Sequence, residues 1–372
     1  MTRPTPLDDP AALLARARAE HAAGALAAAA AGYEAVLARI PDHAEAMTLL
    51  ASVAYGRGDE ARAAALVDGA IAAYRRRLLA APGDGALRAA LANLLLAREN
   101  TAAAAAVLAR ALVPLYPVRS SAEVFAARRQ AARAAGLPGI LLNALPKSAS
   151  ESIWNRLAEG LGLAQGHVSI GLFPDCLVVP YRARELARGG IAAKEHLAAS
   201  EANLAALEAA GVRRLVVHLR DPRQATLSWA HFLEGDVRKR LLAPLWRRTT
   251  PAAGFFARPF AEQLDWHIEH YLPIAVRFIA DWVAAAEAGA HGITVAFLDF
   301  ETFRTAPERY FDQLLAAYAI PPERFAREAE AEVVHLRKGS LDEWRAVLTA
   351  AQRARAWRAI PPALAKRFHW TP

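Results

Sequence analysis

From residue 139 the chain alternates short apolar, strand-like runs with helix-like stretches, and this alternation restricts the fold more than any other feature. "GILLNAL" predicts a strand, followed by a helix over about 151–162. "CLVVP" and "GGIAAKEH" are candidate strands, and "SEANLAALEAAG" is a helix with a serine cap and a glycine stop. "RRLVVHL" is a strand leading into the helix "QATLSWAHFLEG". "PFAEQLDWHIEHYLPIAVRFIADWVAAAEAG" reads as one or two helices, with Trp266 and Trp282 in the core. "GITVAFLDF" is a strand and "APERYFDQLLAAYA" a helix. Strand and helix in alternation imply a parallel sheet covered on both faces. In that architecture ligands bind at the carboxyl ends of strands, beside helix N-termini. The stretch "NALPKSASESIW", Asn143 to Trp154, falls at such a point.

Residues 10–117 are alanine-rich and strand-poor, and they carry a spacing. Gly24 and Gly58 are 34 residues apart. Ala29 and Ala63 lie five residues after each glycine, Tyr33 and Val67 nine after, and Pro41 seventeen after Gly24. This resembles the tetratricopeptide pattern: a turn glycine between two helices, a small residue where they cross, and a proline at the end. The second unit departs from it, since Pro82 comes 24 residues after Gly58. The third, about 85–117, keeps Ala104, Leu108 and Ala111 but has no turn glycine. A generic alanine-rich bundle is the plainer alternative. Repeats of this kind offer a concave face for a partner protein or for self-association. Residues 118–138 read as a helical linker.

Composition narrows the classes. The chain is 55% hydrophobic and 22% charged, which excludes wholesale disorder. One cysteine, Cys176, excludes a disulfide framework or a cysteine metal site and fits a reducing compartment. "MTRPTPLDDPAALL" lacks a basic-then-apolar signal, and no run of about 18 uncharged apolar residues occurs. A cytoplasmic protein without a membrane span is expected. The formal charge of +8 suits acidic ligands. The arginines are scattered over helical patterns, so a solvated basic surface explains them better than a nucleic-acid site does. His267 and His270, three apart with Asp265 and Glu269 nearby, lack a further metal ligand, and no metal is expected.

Four short motifs carry the chemistry. "LPKSASES" follows a strand and is not a GxxxxGK[ST] loop. "VVHLRDPRQATLSWAHF" ends a strand in Arg220 and places Ser228 eight residues later on the next helix. "LRKGSLDEWRAVLT" holds Arg337, Lys338 and Gly339. "KEHL" holds Lys194 and His196. In this order they resemble motifs of the sulfotransferases that use 3′-phosphoadenosine 5′-phosphosulfate. Lys147, Ser148 and Ser150 match the PKSGTT donor loop. Ala149 replaces its glycine, Glu151 replaces its second threonine, and Ser152 is a substitute hydroxyl. Arg220 and Ser228 match the grip on the donor's 3′-phosphate. Arg337, Lys338 and Gly339 match the RKG segment that folds over the nucleotide, with Asp342 at a usual glycine, Glu343 for an aspartate, and Trp344 kept. Lys194 and His196 match the KTHLP segment.

The resemblance covers about 139–349 and implies a P-loop-like, three-layer α/β domain with a parallel sheet at 139–372, after the all-α repeats. Bacterial sulfotransferases show the same combination. It implies sulfuryl transfer to a hydroxyl or amine acceptor, with Lys147 serving the leaving group, His196 as general base and Lys194 assisting. Glu201 is the runner-up base. His218 reads as a core or edge residue. The acceptor is not legible. Two rivals remain open: a non-catalytic adaptor with a decayed enzyme domain, favoured by Ala149 and Glu151, and a nucleotide-dependent kinase, disfavoured by the missing Walker loop.

Overall fold

A computed structural model describes residues 9–109, 111–115, 117–235, 248–249, 251, 253–327 and 339–372. Two compact units appear. One comprises Met1–Val107 with Ala230–Gln263, and the other Leu108–Trp229 with Leu264–Pro372. Among the described residues no helix is long and apolar enough to cross a membrane.

The first unit begins with six helices: α1 (Pro10–Ala22), α2 (Leu26–Arg39), α3 (Ala44–Gly56), α4 (Glu60–Ala80), α5 (Gly85–Ala97) and α6 (Thr101–Leu108). Consecutive helices from α1 to α5 pack on one another. Ala29, Tyr33, Ala63 and Val67, the positions picked out by spacing, are buried. The turn glycines are left-handed, at φ +78° for Gly24 and +82° for Gly58. Each turn closes with the same two bonds. Gly24 N–H meets His21 O and Ala25 N–H meets Glu20 O. Gly58 N–H meets Tyr55 O and Asp59 N–H meets Ala54 O. This is the Schellman arrangement, which satisfies the last carbonyls of a helix. The third turn makes the same pair without a glycine. Glu99 takes φ +57°, its N–H meets Leu96 O, and Asn100 N–H meets Leu95 O.

The second unit contains α7 (Ala122–Ala134), within the stretch read from sequence as a helical linker. Its sheet is built from β1 (Ile140–Ala144), β2 (Ala164–Gly166), β5 (Ile191–Glu195), β6 (Arg214–Leu219) and β7 (Thr294–Asp299). The order is β2-β5-β1-β6-β7 and every pair is parallel. β3 (Ser169–Ile170) and β4 (Leu177–Val178) form a separate antiparallel pair. The helices are α8 (Ser150–Leu161), α9 (Pro180–Ala187), α10 (Glu201–Ala209), α11 (Pro222–Glu234), α12 (Phe260–Glu287), α13 (Phe300–Thr305), α14 (Pro307–Ala317), α15 (Glu343–Val347), α16 (Ala350–Arg358) and α17 (Pro362–Arg367). α11 and α12 run across the boundary between the units.

β1 and β5 are buried along their whole length, the signature of a parallel sheet covered on both faces. On one side Ile140 and Leu142 of β1 pack with Ile153, Trp154 and Leu157 of α8 and Tyr310, Phe311 and Leu314 of α14. Helix α12 is a single helix with Pro273 inside it. Trp282 on it is fully buried, but Trp266 is half-exposed and stacks on His270 at 4.4 Å, so only Trp282 belongs to the core. Strand β2, a three-residue "AQG", and helix α9 gave no clear sequence signal because both are short.

Candidate functional site

Three adjacent strands, β5, β1 and β6, deliver the motif residues at their carboxyl ends. After β1 the chain makes the loop 145–149 and enters α8 at Ser150. Leu145 N–H bonds to His218 O at 2.9 Å, and the Ser148 hydroxyl donates to Leu145 O at 2.6 Å. Lys147 and Ala149 are left-handed, at φ +68° and +66°. L-residues pay for that conformation, so something must impose it. The imposition comes from β6. Arg220 Nη1 donates to Lys147 O at 2.8 Å, and His218 Nε2 donates to Ser148 O at 2.6 Å. A trans peptide points its C=O and its N–H in opposite directions. With the carbonyls of 147 and 148 drawn toward β6, the N–H groups of 148 and 149 face the other way. Left-handed residues in such a loop form an anion-binding concavity, and the N-terminus of α8 adds its dipole.

His218 is fully buried, and its Nδ1 accepts from the Tyr310 hydroxyl at 2.9 Å. Burial pushes its pKa down to about 4. The imidazole is therefore neutral, with its proton on Nε2 facing Ser148. The sequence read His218 as a core or edge residue; it lies in the core, and its hold on the loop was not read.

Arg220 has a second contact. Its Nη2 donates to Ser340 O at 2.6 Å, and its guanidinium lies 3.9 Å from the Phe300 ring centroid. Next to Ser340, Gly339 is left-handed at φ +63°. The same segment is anchored again at Trp344, whose N–H meets Gln224 Oε1 at 3.1 Å. The Arg223 guanidinium lies 3.8 Å from the Trp344 ring and is held by Asp221 through Nη2 at 2.7 Å. Arg337 and Lys338 lie outside the described residues. Ser228 is half-buried on α11, and so are Lys147 and Ser152; Ser150 is buried.

Lys194 lies on β5, and His196 follows one residue past its end. His196 Nδ1 lies 2.6 Å from Ala144 O. A carbonyl can only accept, so the proton sits on Nδ1 and the Nε2 lone pair is available. Burial, and then the charge of Lys194, lower the His196 pKa to about 4, so the ring is neutral at pH 7. Asn143 fixes the strand exit: its Oδ1 accepts from Leu197 N–H at 2.7 Å and its Nδ2 donates to Leu197 O at 3.0 Å. Trp282 Nε1 donates to the same carbonyl at 2.7 Å. An asparagine inside an apolar strand was the available signal, since a buried amide needs partners. Glu195 faces the other way and accepts from Val168 N–H at 2.5 Å and from the Ser169 hydroxyl. It does not orient His196.

Lys194 Nζ makes an ion pair with Glu151 on the first turn of α8, and lies 5.6 Å from the Trp154 ring centroid. Burial would raise the Glu151 pKa, but the charge and hydrogen bond of Lys194 outweigh it and lower it. Glu201 is exposed and sits 3.1 Å from His291 Nε2. His267 and His270 join no group of three metal-ligating residues among the described residues.

No protein-family model matches the chain, and no curated protein matches it. Among solved structures, mouse sulfotransferase SULT7A1 complexed with PAP aligns at 12% identity and a TM-score of 0.43, covering 69% of this chain and 95% of that one. So loose a likeness leaves the function to be argued from the site itself.

Proposed function

We propose that the chain is a sulfotransferase that moves a sulfuryl group from 3′-phosphoadenosine 5′-phosphosulfate to a hydroxyl or amine acceptor. The observation that carries this reading is the convergence of three sequence-distant motifs on Arg220, which bonds to Lys147 O and Ser340 O. The residues fit an anionic nucleotide: an N–H concavity at a helix start, a lysine in the same loop, and an arginine bonded to that loop.

In this reading the loop 145–150 takes the 5′-phosphosulfate. Arg220, Ser228 and the 337–339 segment take the 3′-phosphate. His196 Nε2 removes the acceptor proton, the acceptor O–S or N–S bond forms, and the bond from sulfur to the bridging oxygen breaks. Lys147 donates to that oxygen as its negative charge grows. Positioning and charge stabilisation do most of such chemistry. Helices α1–α6, read as tetratricopeptide-like repeats, would hold a partner protein, a carrier of the acceptor, or a second copy.

Thermal unfolding with adenosine 3′,5′-bisphosphate, beside ADP and ATP with magnesium, tests the reading. A ligand at a hundred times its Kd stabilises by about 2.7 kcal/mol. A shift with the bisphosphate alone supports the donor site. A shift with ATP and magnesium instead would favour the kinase reading. Bisphosphate binding without turnover on any acceptor would favour the adaptor.

A further inference from the structure

Glu151 is an unusual residue for its position. It lies one residue into α8, two residues after the left-handed Ala149, where the peptide N–H groups and the helix dipole favour an incoming anion. Its carboxylate is tied to Lys194, which is itself only 8% exposed and packed over Trp154. His196 follows Lys194 by two residues, just past the end of β5. The pair thus neutralises a cation that would otherwise be available to an anion in the loop.

Charge at the loop changes during the transfer proposed above. In the donor, the phosphate is an ester on the ribose side and an anhydride with the sulfate on the other; it carries one negative charge, with another on the sulfate. Once the sulfuryl group has left, the remaining 5′-phosphate is a monoester. Such groups have a second pKa of about 6, so most of two charges now sit on one phosphate at neutral pH. A loop with a free lysine beside it would hold this spent donor hardest.

We propose that Glu151 loosens the spent donor: by keeping Lys194 as its own counter-ion, it limits how tightly the loop holds a terminal 5′-phosphate. The inference rests on the sulfotransferase reading and names a residue that sets product release rather than bond-making.

Calorimetric binding to the full-length chain tests it, with adenosine 3′,5′-bisphosphate and adenosine 3′-monophosphate as probes. They differ only in the group that meets the loop. Glu151→Gln should bind the bisphosphate about tenfold more tightly, as expected for removing one like charge a few ångströms away in a partly buried site. Its affinity for the 3′-monophosphate should rise by clearly less, because that ligand lacks the phosphate that meets the loop. Glu151→Asp keeps the charge and should behave as the wild type, which also checks the result if the glutamine variant folds poorly. Bisphosphate affinity that is unchanged or weakened in Glu151→Gln overturns the inference. So does equal tightening of both ligands, which would mark a general charge effect. Failure of the wild type to bind either ligand would instead remove the donor site, and this inference with it.

Discussion

Arg220 Nη2 and Ser340 O are 2.6 Å apart although 120 residues of chain separate them. The same guanidinium holds Lys147 O through Nη1 at 2.8 Å. One planar fork therefore ties the loop after β1 to the C-terminal segment, with Phe300 beneath it. A guanidinium presents several donors in fixed directions, which a lysine cannot do.

Arg220→Ala should lower unfolding stability by about 2 kcal/mol, since hydrogen bonds from charged groups contribute about 1.5–3 kcal/mol. It should also weaken bisphosphate binding at least about tenfold. Arg220→Lys should restore little of either. Urea unfolding and calorimetry check both, and amide exchange at 339–348 should speed up in the alanine variant. Unchanged exchange there would mean that the segment is held by Trp344 alone.

Lys147→Ala should cut turnover far more than donor affinity. Removing one preorganised donor to a developing oxyanion typically costs about 100- to 1,000-fold in kcat. Single-turnover rates beside equilibrium binding separate the two quantities. Normal turnover in the variant would end the proposed role of this lysine.

Acidification should destabilise the protein through His218. Its folded pKa is about 4, against 6.5 for the unfolded residue. Between those values the unfolded chain binds a proton that the folded chain does not, so stability falls as pH drops from 6.5 toward 4. A shift of that size corresponds to about 3 kcal/mol. His196 adds in the same direction. Denaturant unfolding between pH 7 and 4.5 measures the slope, which should be shallower in His218→Gln even if that variant is less stable at pH 7.

Ala149→Gly should stabilise the loop. Ala149 sits at φ +66°, ψ 20°, where an alanine is strained by about 1–2 kcal/mol and glycine is not. Part of that gain is offset by the greater freedom of glycine in the unfolded chain. A net rise of about 1 kcal/mol in unfolding free energy is expected from denaturant titration. A loss of stability would mean that the alanine methyl contributes packing that outweighs its strain.

Much of the fold was legible because its signals are local. Apolar runs marked β1, β6 and β7, a serine and a glycine marked the ends of α10, and a 34-residue spacing marked the first two helical turns. Glu99 was not legible as a turn residue. Its left-handed φ is imposed by helix geometry on both sides, not advertised by a glycine. The site was legible as residue types but not as roles. Lys194 and His196 could be named from "KEH", yet the ion pair between Lys194 and Glu151 joins residues on different elements. His218 read only as a core or edge residue and Asn143 carried no reading of its own until their partners, Leu197, Ser148 and Tyr310, were brought beside them.

The sequence by itself determined the alternation of strand and helix, and hence a parallel sheet with the motif residues at its carboxyl edge, because period and propensity act over a few residues. Tertiary structure decided which strands adjoin, which carbonyls Arg220 and His218 seize, and that Glu151 faces Lys194. Those outcomes depend on buried polar groups finding partners across 40 to 120 residues of chain. Such pairings are enforced by the cost of leaving a buried charge or dipole unmet, which no local window of sequence records.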